Sequence, residues 1–244
     1  VWRFSEDTRT KLQMFFQDPF ASLIPRLTVG NALMEVLKVH NPGKSSENLG
    51  ERMQELMKMV GLRGEMAGRY PHEFSGGQRQ RIGVARALAV EPSLIIADEP
   101  VSALDVSIQA HILNLLKDLQ NKMQLTYLFI AHDLAVVRYM CDRILVMYLG
   151  RIVESSPAED LFSNPSHPYT EVLMSAIPDV EKGLQSRKSG SQRIVPKGDV
   201  PSGSERIRGC PFHPRCHKSQ EKCVIEAPLE KKVSPGHMSR CHFA

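Results

Sequence analysis

A chain of 244 residues with 42% hydrophobic content can bury a substantial core, which excludes a disordered protein and suits one domain with an appendage. No apolar run approaches the roughly 18 residues that cross a bilayer, and the opening VWRFSEDTRT has no apolar signal-peptide core, so the chain is expected to be cytosolic and to reach a membrane only through a partner. The formal charge of +4 is uneven: residues 181–244 hold 13 Lys+Arg against 6 Asp+Glu, and with no interleaved aromatics this reads as solvated surface rather than as a nucleic-acid interface.

Along the chain, Met53, Leu56, Met57 and Val60 fall at i, i+3, i+4 and i+7 and predict an amphipathic helix within residues 49–60. A second helix is predicted after Asp105, where Ile108, Ile112, Leu115, Leu116 and Leu119 keep helical spacing. Two short apolar runs, Leu94–Ala97 and Tyr127–Ala131, end in Asp98-Glu99 and His132-Asp133; flanked by helices, they read as buried parallel strands of a doubly wound α/β sheet. Ile144–Tyr148 and Arg151–Glu154 predict a strand pair around Leu149-Gly150. Residues 181–209, rich in Ser, Gly, Lys and Arg, read as a linker, and there is no internal repeat.

The chemistry concentrates at two places. Phe74-Ser75-Gly76-Gly77-Gln78-Arg79-Gln80-Arg81 opens a helical run; a serine cap and two glycines there turn backbone N–H groups and the positive end of a helix dipole toward an anion. An isolated Ser-Gly-Gly would be an ordinary helix cap. Here Ser93-Leu94-Ile95-Ile96-Ala97-Asp98-Glu99-Pro100 follows, and its strand delivers two carboxylates to the C-terminal edge of a sheet, where ligand chemistry collects. Asp98 suits Mg²⁺, through water, and Glu99 suits a general base acting on a water molecule.

With these motifs in this order, the chain resembles an ABC-type nucleotide-binding domain of the P-loop NTPase class over residues 11–165. FSGGQ stands as the signature, LIIADEP as Walker B, Ser102-Ala103-Leu104-Asp105 as the D-loop, Ile130–Asp133 as the switch-histidine loop and Met14–Pro19 as the Q-loop. The resemblance implies ATP and Mg²⁺ as ligands. It assigns Gln17 to sensing Mg²⁺ and water, His132 to the γ-phosphate, Asp105 to communication across a dimer, and Ser75, Gly76, Gly77 and Gln78 to nucleotide binding. It also implies a helical subdomain near residues 27–90 and a boundary at 165/166, before a C-terminal extension over 166–244.

A phosphate-binding loop G-x-x-x-x-G-K-[ST] is expected upstream of Gln17. The residues before Gln17 contain no glycine, and the Gly-Lys-Ser at 43–45 has Lys38 where the first glycine belongs, so it is a decoy. The expectation is a chain without its own phosphate cradle, inactive alone, that offers Ser75 and Gln78 to the nucleotide of a second ABC ATPase subunit.

Asn164-Pro165-Ser166-His167-Pro168-Tyr169-Thr170 resembles the His-Pro-Tyr landmark of oligopeptide, dipeptide and related nickel importers. That resemblance implies two permease subunits, an extracytoplasmic peptide-binding protein and a place at the cytoplasmic face of the membrane. The rival readings are a soluble ABC ATPase of translation or DNA repair, and a non-catalytic docking module. Cys141 is expected to be a small core residue. The tail carries Cys210-x5-Cys216-x6-Cys223-x17-Cys241, clustering that in a cytosolic chain favours metal over disulfides. Four thiolates suit a [4Fe–4S] cluster, which the resembling importers can carry; His213, His217, His237 and His242 keep zinc open, and unligated thiols are the third alternative.

Overall fold

The computed structural model describes residues 5–15, 23–177, 194–199, 201 and 207–244, which group into two compact units, 1–132 and 133–244. Gln17 and most of the expected linker lie outside the described residues.

The first unit opens with α1 (Glu6–Lys11), capped by the Ser5 hydroxyl, and runs directly into strand β1 (Leu12–Phe15). Helices α2 (Val29–His40) and α3 (Ser46–Met59) follow, each opened by a side chain, Thr28 or Ser45, that accepts a backbone N–H of the first turn. Their apolar stripes meet: Val29, Leu33 and Leu37 of α2 and Leu56 and Met57 of α3 are all at most 1% exposed, whereas Met53, predicted on the stripe, is only half-buried. Gly61, at φ +73, ends α3, with Leu62 N–H returning to the Met57 carbonyl at 2.8 Å. Helix α4 (Gly76–Leu88) packs against α2, α3 and β1.

Strands β2 (Leu94–Asp98) and β3 (Thr126–Ile130) complete a parallel sheet of order β1-β2-β3, with α5 (Val106–Met123) as the crossover between them. On one face Phe15, Ile95 and Ala97 are buried. The other presents Met14, Ile96 and Leu128 in register across all three strands, and Met14, Leu128 and Ile130 are 40–47% exposed.

In the second unit α6 (Leu134–Met140) leads to β4 (Arg143–Tyr148) and β5 (Arg151–Pro157), the predicted hairpin. Leu149 (φ +46) and Gly150 (φ +73) form its turn, the two positive φ values that match the twist of paired strands. Helices α7 (Ala158–Ser163), α8 (Pro168–Ser175) and α9 (Glu221–Ile225) follow, then β6 (Lys231–Ser234) and β7 (His237–Ser239). These last strands join the hairpin in an antiparallel sheet of order β4-β5-β7-β6, so the tail is built into the same sheet as the hairpin. Cys141, expected in the core, is half-buried. No helix among the described residues is long and apolar enough to cross a membrane.

Candidate active site and cysteine pocket

Glu99 follows the last residue of β2 and turns the chain sharply, at φ +44. A side-chain-bearing residue holds that conformation only where its surroundings enforce it. The enforcing contacts are local: Glu99 N–H donates to the Ile130 carbonyl at 2.9 Å, and the Glu99 carbonyl accepts from Ser102 N–H (3.3 Å) and Ser102 Oγ (3.1 Å). The turn sets the carboxylate beside His132: Glu99 Oε1 lies 3.1 Å from His132 Nδ1. The Glu99 side chain is 29% exposed and the imidazole 71%, so the pair opens to solvent. Asp98 sits at the C-terminal end of β2, half-buried, in register with Ile130.

The signature segment forms a capping box. Ser75 Oγ accepts from Gln78 N–H at 3.4 Å, and Gln78 Oε1 accepts from Ser75 N–H at 3.0 Å. The Gln78 side-chain oxygen is therefore committed to the cap, and the N–H groups of Gly76 and Gly77 are the ones the helix start leaves without helical partners. Gly77 is required sterically, because a Cβ there would collide with Ile108 Cγ2 of α5. Asp105 caps α5, accepting from Ile108 N–H (3.0 Å) and Ser107 Oγ (2.9 Å); the Ile108 bond first and the Ser107 bond second hold its carboxyl below the usual range.

In the second unit, Cys210, Cys216, Cys223 and Cys241 line one small pocket with His213 and Phe212. All four thiols are free; Cys210, Cys223 and Cys241 are buried and Cys216 half-buried. Gly209, at φ +74, lets the backbone pass hard against the Cys223 and Val224 carbonyls, and Cys210 N–H donates to the Cys223 carbonyl at 2.8 Å. Burial pushes the Cys216 thiol up to about 11 and raises Cys210 too, with repulsion from the neighbouring sulfurs adding to both. Among the described residues no group of three or more His, Cys, Asp and Glu side chains is arranged to hold a metal ion. Two of the histidines that kept zinc open are engaged elsewhere: His217 Nε2 lies 3.1 Å from Glu171 Oε2, and His237 Nε2 lies 2.7 Å from Glu154 Oε1.

The His-Pro-Tyr segment is a built feature of this unit. His167 is 1% exposed and caps α8, its Nδ1 accepting Tyr169 N–H at 3.1 Å. Glu154, equally buried, accepts Ser166 N–H (2.7 Å), His167 N–H (3.1 Å) and the His237 ring. Phe212 packs among Tyr148, Tyr169 and His167, with ring centroids 5.1–5.9 Å away. The pairing of Glu154 with His237 escaped sequence reasoning, because no local signal pairs residues 83 positions apart.

Comparison with known proteins agrees with this architecture. An ABC transporter family model matches residues 3–102, and a model of the oligopeptide/dipeptide transporter C-terminal region matches residues 153–223. A putative peptide import ATP-binding protein of Brucella ovis is 51% identical over 96% of this chain and 72% of its own length. The oligopeptide transport ATP-binding protein AppF of Bacillus subtilis is 50% identical over 98% of the chain and 71% of its length. The structure of CbiO1 from Clostridium perfringens, part of an ABC transporter complex, superposes with a TM-score of 0.59 at 26% identity, covering 65% of this chain and 61% of that one. The chain belongs to the ABC transporter ATP-binding proteins, in the group that carries the oligopeptide/dipeptide transporter C-terminal region.

Proposed function

We propose that this chain is the ATP-hydrolysing subunit of an importer of oligopeptides or dipeptides, working with a second ABC ATPase subunit, two membrane permeases and an extracytoplasmic peptide-binding protein. It would act at the cytoplasmic face of the membrane, held there by the permeases. The observation that carries the reading is the Glu99–His132 pair at the end of a parallel strand, in a chain half identical to peptide import ATP-binding proteins. In this reading Glu99 takes a proton from the attacking water and His132 orients the carboxylate and meets the γ-phosphate. Asp98, with Gln17, would hold Mg²⁺, which supplies charge neutralisation on the phosphate oxygens. Gly76 and Gly77 offer N–H groups to a nucleotide across the dimer, and Asp105 relays between the two sites. Neither a soluble ABC ATPase nor a docking module gains support, since relatives named for peptide transport match nearly the whole chain.

In the assembled transporter, Glu99→Gln is expected to keep ATP binding, to lose most hydrolysis and to stop uptake of a labelled oligopeptide. Near-normal turnover would remove Glu99 from the mechanism, and uptake of nickel but not peptide would change the cargo.

For the tail we infer a [4Fe–4S] cluster on Cys210, Cys216, Cys223 and Cys241. Four free cysteines lining one pocket support it, since four thiolates are the ligand set that such a cluster takes. The group would give the tail a structural or subunit-docking centre. Anaerobically purified protein is expected to contain iron and sulfide and to absorb broadly at about 400 nm, with the band lost in Cys223→Ser; a colourless sample with stoichiometric zinc overturns this.

A further inference from the structure

The helix that opens with the signature is tied to the backbone of the catalytic turn by a buried hydrogen bond that the reading above leaves unused. Gln80, one turn into α4 and 2% exposed, donates its side-chain N–H to the carbonyl of Pro100, the residue after Glu99. Pro100 is itself buried. With donor and acceptor both buried, losing the donor leaves the Pro100 carbonyl unsatisfied, and the turn is free to relax toward a form that pairs it. The turn has reason to relax. Glu99 holds φ +44 against its own steric preference; Ile130 and Ser102 restrain it from the neighbouring strand and across the turn, and Gln80 adds a hold on the Pro100 carbonyl from α4.

We propose that Gln80 is a positioning residue for hydrolysis: it fixes the segment after Glu99 in the left-handed turn that aims the carboxylate at His132, and it makes that aim depend on the seating of α4. Because α4 also presents Gly76 and Gly77, the element that meets a nucleotide across the dimer is mechanically joined to the general base of this chain's own site. The inference rests on the assignment of Glu99 as that base. A carboxylate displaced by an ångström still sits in the pocket but no longer lines up with water and phosphorus, so the loss falls on turnover and not on binding.

The test is made in the assembled transporter. Gln80→Met keeps the length and most of the volume of the side chain and removes the donor. We expect kcat for ATP hydrolysis to fall on the order of tenfold or more, with KM for ATP within about twofold of wild type and the melting temperature lowered only modestly, the fold being retained. Ser102→Ala loosens the same turn from its other side and is expected to lower kcat in the same direction, which keeps the idea testable if Gln80→Met does not assemble. In single turnover, Gln80→Met added to Glu99→Gln is expected to cost nothing further, since there is no longer a base to aim. Wild-type kcat in Gln80→Met, or losses that multiply in the double variant, would overturn the proposal. An active Glu99→Gln enzyme would instead overturn the assignment of Glu99.

Discussion

At the scale of single residues, His167 shows how a motif histidine can be structural in its chemistry. Burial drives its imidazole down from the ordinary 6.5 to about 4, against the opposing pull of the Glu154 and Glu171 carboxylates, so it is neutral at pH 7 and Nδ1 is available to accept Tyr169 N–H. The sign of the linkage follows. Between 6.5 and about 4 the unfolded chain takes up a proton that folded His167 refuses, so stability falls as pH drops through that window and is complete above it. His167→Asn keeps a capping oxygen and removes the titration. The melting temperature of this variant is therefore expected to depend less steeply on pH than that of wild type between about pH 5 and about pH 7. Equal slopes would show that His167 does not carry this dependence. The sequence marks His167, Glu99 and His132 through motifs, but not the φ of Glu99 or the donor on Gln80, because these depend on backbone atoms brought together from distant segments.

At the scale of elements, periodicity located α3, α5 and the hairpin to within a few residues because each hides one apolar face. It missed that Leu113 of α5 is buried, while Ile108 and Leu115 are only half-buried. The packing of α5 on α4 explains Gly77. Its missing Cβ lets Ile108 lie across the first turn of α4, so Gly77 is a packing requirement in its own right. Gly77→Ala is expected to separate α4 from the start of α5 at a cost of about 1–3 kcal/mol, read as a lowered melting temperature, and to depress ATPase activity. Adding Ile108→Ala should recover most of the stability by vacating the space. If the double variant is no more stable than the single one, the clash is not the cause.

At the scale of the molecule, the chain holds two separately cored units, and the second owes its closure to a residue that carries no chemistry. Glu154 of β5 gathers two N–H groups from the His-Pro-Tyr segment and the ring of His237 from β7, so three stretches distant in sequence meet at one buried carboxylate. That pairing could not be foreseen from a hairpin whose predicted span stopped at Glu154 itself; β5 continues to Pro157, and Glu154 and Ser155 are the residues that pair with β7. Removing the carboxylate strands all three donors in a buried site. Glu154→Leu, close in volume, is expected to destabilise the second unit by about 3–5 kcal/mol, because it leaves partners of a buried charged network unpaired. Amide exchange reads this region by region: protection should drop across residues 143–177 and 207–244, while α2, α3 and α4, whose apolar contacts are made within the first unit, keep theirs. Unchanged protection of the tail strands would mean that β5–β7 pairing holds the unit without Glu154, and a loss spread equally over residues 29–88 would mean that the two cores do not open separately.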